Sequence, residues 1–122
     1  MKYAILINHN KEARDAWQSF SAAQRSEGYA AHQSLHDDLE NSGEMVAAEA
    51  LADPSNAKRV LVSAGSVSTT DGPFDQSEHL AGIYLIDVEN VERAVEYAAR
   101  IPEAAFGLVE VRPVLGASGA DM

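Results

Sequence analysis

The sequence predicts one α+β domain whose main sheet is built by segments in the order βαββαβ. Three observations carry this. Short β-branched apolar runs stand near residues 3–7, 83–88 and 108–115. Two stretches, 11–41 and 90–101, repeat their apolar residues at three- and four-residue steps. Turn signals at Gly43, Asp53-Pro54 and Asp71-Gly72-Pro73 separate these segments. At 122 residues and 46% apolar, the chain supplies one core and not two. The domain is expected to span residues 1–115, with a small, polar and frayed tail at 116–122.

The first run, Tyr3-Ala-Ile-Leu-Ile-Asn8, reads as a strand buried on both faces and hence central. Asn8, His9 and Asn10 are expected to end it, with His9 a turn residue. Residues 11–41 lack proline. Ala16, Trp17, Phe20 and Ala23 form one predicted helical face, expected to pack as core, and Gly28 is expected to divide the stretch into two helices. The second helix carries Tyr29, His32, Leu35, His36 and Leu39 on one side, and Gly43 suits its left-handed cap. Residues 44–51 have helical composition but lie between a helix stop and Asp53-Pro54, so a strand through Met45, Val46 and Ala47 is preferred.

Arg59–Ser63 and Ser66–Thr70 are β-branched and joined through Ala64-Gly65, which predicts a hairpin inserted into the core plan. Ile83–Val88 is a clean strand. Residues 90–101 then form a helix with Asn90 as its cap, Val91, Val95, Ala98 and Ala99 as its apolar face, and Pro102 as its stop. Leu108–Leu115 is the last strand, and Pro113 places it at an edge. Without the hairpin the order is that of the ferredoxin-like fold. Such a sheet carries helices on one face only. Its other face is expected to be covered by a second copy, which makes a homodimer.

Nine Lys and Arg against 19 Asp and Glu give a formal net charge of −10. That argues against nucleic acid or an anionic membrane as partner, because both demand positive surface. The absence of cysteine removes disulfides, thiolate metal sites and cysteine nucleophiles. The apolar run at 3–7 is too short for a signal segment or a membrane span, so a cytoplasmic location is expected. Ala64-Gly65-Ser66 lacks the second glycine and the lysine of a phosphate loop, and no cofactor is expected.

Thr70-Asp-Gly-Pro-Phe74, followed by Glu78-His-Leu-Ala-Gly-Ile-Tyr-Leu-Ile-Asp-Val88, resembles the signature of the DGPF, or YCII-related, family. Ala98-Ala-Arg-Ile-Pro102 and Val109-Glu-Val-Arg-Pro-Val114 extend the likeness over nearly the whole chain. The resemblance implies a dimeric α+β barrel, two ferredoxin-like sheets facing one another around a cleft. It implies no single reaction. Members look like small enzymes or ligand-binding proteins, and some accompany extracytoplasmic-function sigma factors. One departure stands after Phe74, where Asp75-Gln76-Ser77 is a residue shorter than the usual stretch and lacks its lysine.

Two readings of Asp71–Phe74 stand side by side. It is a rigid turn in which Gly72 permits positive φ and Phe74 is an anchor, or it places Asp71 at the cleft mouth as a general base and Phe74 against a ligand. His32 stands eleven residues before Gly43. The resemblance implies a catalytic histidine there, working with an aspartate, so His32 with Asp71 is the expected acid–base pair. His32 and His36 share a helical face and form a weak candidate metal pair lacking a third ligand. Glu78 and His79 are candidate ligand-binding residues or solvated loop residues. Arg112 can bind a ligand carboxylate or pair with Glu110. The expectation is a ligand-binding protein with His/Asp proton-transfer chemistry on a small organic molecule. The alternative is a non-catalytic regulatory or scaffold module acting through its acidic surface.

Overall fold

The computed structural model of the chain describes residues 1–116, so the part of the expected tail at 117–122 lies outside the described residues. The elements run β1 (Lys2–Asn10), α1 (Lys11–Ser19), α2 (Ala22–Ser42), β2 (Met45–Ala50), β3 (Lys58–Ser63), β4 (Ser66–Asp71), β5 (Glu78–Asp87), α3 (Val91–Ala98) and β6 (Val109–Pro113). Short 3-10 turns stand at Pro54–Asn56 and Pro102–Phe106. Four strands form one antiparallel sheet in the order β2-β5-β1-β6, and β3 and β4 form a separate two-stranded sheet. With the β3–β4 hairpin set aside, this is the ferredoxin-like order, and the mixed α+β class is as the sequence predicts.

Alternation along the strands fixes the two faces of the sheet. Tyr3, Ile5 and Ile7 of β1 register with Ile86, Tyr84 and Gly82 of β5, and all six are buried. Leu35 and Leu39 of α2 and Ala94, Tyr97 and Ala98 of α3 pack in the same cluster. The opposite face presents Ala4, Leu6, Ile83 and Leu85, each half-buried. β1 is therefore central as expected, yet buried on its helix side only. Pro113 closes an edge strand, where its missing N–H costs no ladder bond.

Several boundaries differ from expectation, each for a local reason. Gly28 does not divide the helices; the break is at Phe20-Ser21, where Ser21 and Gln24 form a reciprocal capping box that starts α2. Gly28 lies inside α2 beneath Trp17, and a Cβ there would meet the indole at 3.0 Å. Ala16, Trp17, Phe20 and Ala23 are consequently not one helical face. In α3 the buried stripe is Ala94, Tyr97 and Ala98, while Val91 and Val95 are exposed. The helix is rotated because Tyr97 buries a large ring while its hydroxyl is held by Glu44 and by the Arg93 guanidinium, 2.7 Å away. Gly43 caps α2 at φ 78, and Asn90 caps α3 by accepting from the Arg93 amide.

Every residue of the hairpin is exposed, including Val60, Leu61, Val62 and Val67. At its tip Ala64 and Gly65 both take positive φ, the backbone of a tight two-residue turn. Gly72 is not among the positive-φ residues. Its reason is steric: a Cβ would lie 2.1 Å from the Pro54 carbonyl oxygen, while the Gly72 amide donates to Ala57 at 2.8 Å. No helix among the described residues is long and apolar enough to cross a membrane.

Candidate functional site

Glu103 organises the site. Pro102 ends the turn after α3 and fixes the start of the next one, and the buried Ile101 anchors the chain beside it. The Glu103 side chain is only 16% exposed and reaches two imidazoles. Oε1 lies 3.2 Å from His32 Nε2, and Oε2 lies 3.3 Å from His9 Nε2. Burial pushes the Glu103 carboxyl up, but the hydrogen bonds and charges of His32 and then His9 outweigh it. The group ends below its ordinary value.

Each partner is placed by its own element. His32 stands one turn before the buried Leu35 and two before Leu39, so α2 turns it toward the sheet. His9 follows Ile7 by two residues and shares its face of β1, just beyond a register shift at Ile7/Asn8. It is a strand residue aimed at Glu103, not the turn residue expected. Across the ladder His9 pairs with His79, ring centroids 6.0 Å apart at 76°. Desolvation, then His9 and Arg14, hold the His79 imidazole below its ordinary value.

His9, His32 and Glu103 line two cavities at once. The first, about 360 Å³, lies between α2 and the ends of β1, β2 and β5, against Ile7, Ala48, Gly82 and Tyr84. The second, about 530 Å³, lies under α1 and is walled by Trp17, Phe20, Tyr29 and Phe106, with Arg14 among its lining residues. The aromatic residues of α1 and α2 are thus a cavity wall rather than the core the sequence suggested. Trp17 meets Tyr29 edge to face with centroids 5.2 Å apart, and none of Trp17, Phe20 or Tyr29 is buried.

The other predicted residues fall elsewhere. Asp71 does not meet His32 within the chain; it ends β4 and pairs with Lys58 Nζ at 2.6 Å in the exposed hairpin. Phe74 lies beside the hairpin with the Arg59 guanidinium 3.9 Å from its ring centroid. Glu78 is exposed at the start of β5, opposite Asn10. Arg112 pairs with Glu110 on the exposed edge strand, and neither lines the two cavities. His36 also lines the first cavity but bonds Glu40 on its own helix at 3.1 Å, whereas His32 bonds Glu103, so the two imidazoles engage different carboxylates. Among the described residues no three His, Cys, Asp or Glu side chains are arranged to hold a metal.

Sequence reasoning missed Glu103, His9 and Arg14. The available signal for Glu103 was its position directly after the Ala98–Pro102 motif, where a carboxylate follows a proline-fixed turn.

A protein of Rhizobium meliloti (strain 1021), itself uncharacterised, is 28% identical over 117 residues, covering 93% of this chain and 92% of that protein. The YCII-related domain matches residues 1–118, and the chain accordingly belongs to the YCII-related domain family.

Proposed function

We propose that the protein binds a small organic molecule in the cavities beside Glu103 and moves a proton on it with the His32–Glu103 pair. The observation that carries this reading is the near-buried carboxylate shared by two histidines at the wall common to both cavities. A carboxylate accepting from Nε2 fixes the imidazole's orientation and leaves Nδ1 as the proton acceptor. When His32 takes a proton from the ligand, the imidazolium forms against Glu103, which stabilises it. The proton then returns to another ligand atom or to water. Asp71, the partner expected from the sequence, has this role only if a second copy brings it to the cavity. His9 takes the other Glu103 oxygen and holds the carboxylate in place.

A homodimer completes the proposal. Ala4, Leu6, Ile83 and Leu85 form an apolar strip on the sheet face away from the helices, and a second copy of that strip is its simplest cover. A non-catalytic regulatory module is the second reading. The exposed valines of the hairpin favour it, since a partner protein can pack on them.

A solvent-exchange screen tests the first reading. Small carbonyl acids and phenols are incubated in deuterium oxide with the protein, and label uptake is followed by NMR. Uptake catalysed by the wild type and lost in both His32→Gln and Glu103→Gln, with melting temperatures near the parent's, supports it. Equal uptake in all three proteins would remove His32 from any proton transfer.

A further inference from the structure

The second cavity also carries information about the ligand. Its lining is mainly apolar and aromatic, from Trp17, Phe20, Tyr29 and Phe106, and its volume of about 530 Å³ suits a single-ring or double-ring molecule. Two side chains that carry a charge at pH 7 line it, the Glu103 carboxylate and the Arg14 guanidinium. Glu103 is already engaged by two imidazoles. Arg14 is not engaged: among the described residues it has no ion pair and no side-chain hydrogen bond. Its field reaches Asp53 and His79 without contact.

Among the described residues Lys2, Arg14, Arg25 and Arg59 form no ion pair, and of these four only Arg14 lines this cavity. The contrast with Arg25 sharpens the point. Arg25 lies over the Trp17 ring and donates to the Trp17 and Gln18 carbonyls at 3.1 and 2.9 Å, so its guanidinium is spent on the end of α1. Arg14 is exposed beside the same aromatic wall with its donors free. A guanidinium fork matches a carboxylate bidentately, and a flat ring can pack against the Trp17 indole.

We propose that this cavity recognises an aromatic carboxylate, its anionic end held by Arg14 and its ring laid against Trp17. This rests on the proposed function and names the ligand class for the same site. The carboxylate at Arg14 leaves the rest of the ligand toward His32, the cavity's proton-transfer histidine.

Trp17 is the single tryptophan, so its fluorescence reports occupation of the cavity. The probes are phenylacetate, its neutral counterpart phenylacetamide, and acetate. Phenylacetate is expected to quench saturably at about tenfold lower concentration than phenylacetamide, with acetate silent. Arg14→Gln should lose that tenfold for the acid and leave the amide unchanged, while Arg14→Lys recovers part of it. Acid and amide binding equally, or Arg14→Gln weakening both alike, overturns the anion assignment and leaves the exchange screen to judge the proton chemistry. Saturation by none of the probes overturns the ligand class outright.

Discussion

At the scale of single residues, the chain places its constraints where side chains meet backbone or one another. Gly72 is glycine because the Pro54 carbonyl occupies the space of a Cβ, at 2.1 Å. Gly72→Ala is therefore expected to cost about 1–3 kcal/mol, read as a lower urea midpoint at unchanged slope. An unchanged midpoint would mean that the Pro54–Asn56 turn yields freely. Glu103 is depressed in the folded state, so its contribution to stability is complete above the unfolded value near 4.5 and is lost as pH falls through the folded one. Glu103→Leu should flatten that acid limb, measured as melting temperature from pH 6 to pH 3. The placement of His32 on the face of α2 that carries Leu35 and Leu39 was legible from helical spacing, and the family resemblance singled it out. Its carboxylate partner was not, because residues 32 and 103 meet only through tertiary packing of α2 against the turn after α3.

At the scale of elements, an ion-pair clamp fixes where β2 begins and how α3 is rotated. The Arg93 guanidinium grips both Glu44 oxygens at 3.0 and 3.2 Å, and Tyr97 donates to the same carboxylate. Hydrogen bonding from Arg93 first, against desolvation, and then Tyr97 hold the Glu44 carboxyl down at about 2. Stability from this clamp is present above pH 4.5 and disappears as pH falls toward 2. Glu44→Gln should cost about 1–3 kcal/mol at pH 7 and reduce the loss of stability on acidification, both followed by denaturant unfolding. The clamp also explains why α3 was misread. Val91 and Val95 are more apolar than Ala94 and Tyr97, but the Tyr97 hydroxyl, which accepts from Arg93 and donates to Glu44, turns that face inward. Strand β2 was legible despite its helical composition, because the stops at Gly43 and Pro54 left it too short for a stable helix.

At the scale of the whole molecule, the sheet order and its one-sided helices follow from segment order and alternation, and both were readable in advance. The aromatic residues of α1 and α2 were not, because identical three- and four-residue steps describe a packed core and a cavity wall equally well. What separates them is the capping box at Ser21, which ends α1 early and opens the space beneath it. The half-buried face with Ala4, Leu6, Ile83 and Leu85 leads to an expected mass of twice the chain in light scattering at micromolar concentration. Leu6→Glu should shift that mass toward one chain, because it sets a charge in the middle of the strip. A single-chain mass for the wild type would leave the face without a partner copy.

The central claim is that one near-buried carboxylate is shared by two histidines where the cavities meet. Carbon-13 NMR titration of the Glu103 carboxyl tests it most directly. The wild-type group should titrate below the ordinary glutamate value. His32→Leu should raise it, and adding His9→Leu should carry it above the ordinary value, since burial then acts alone. A Glu103 that titrates at the ordinary value and ignores both substitutions would contradict the account.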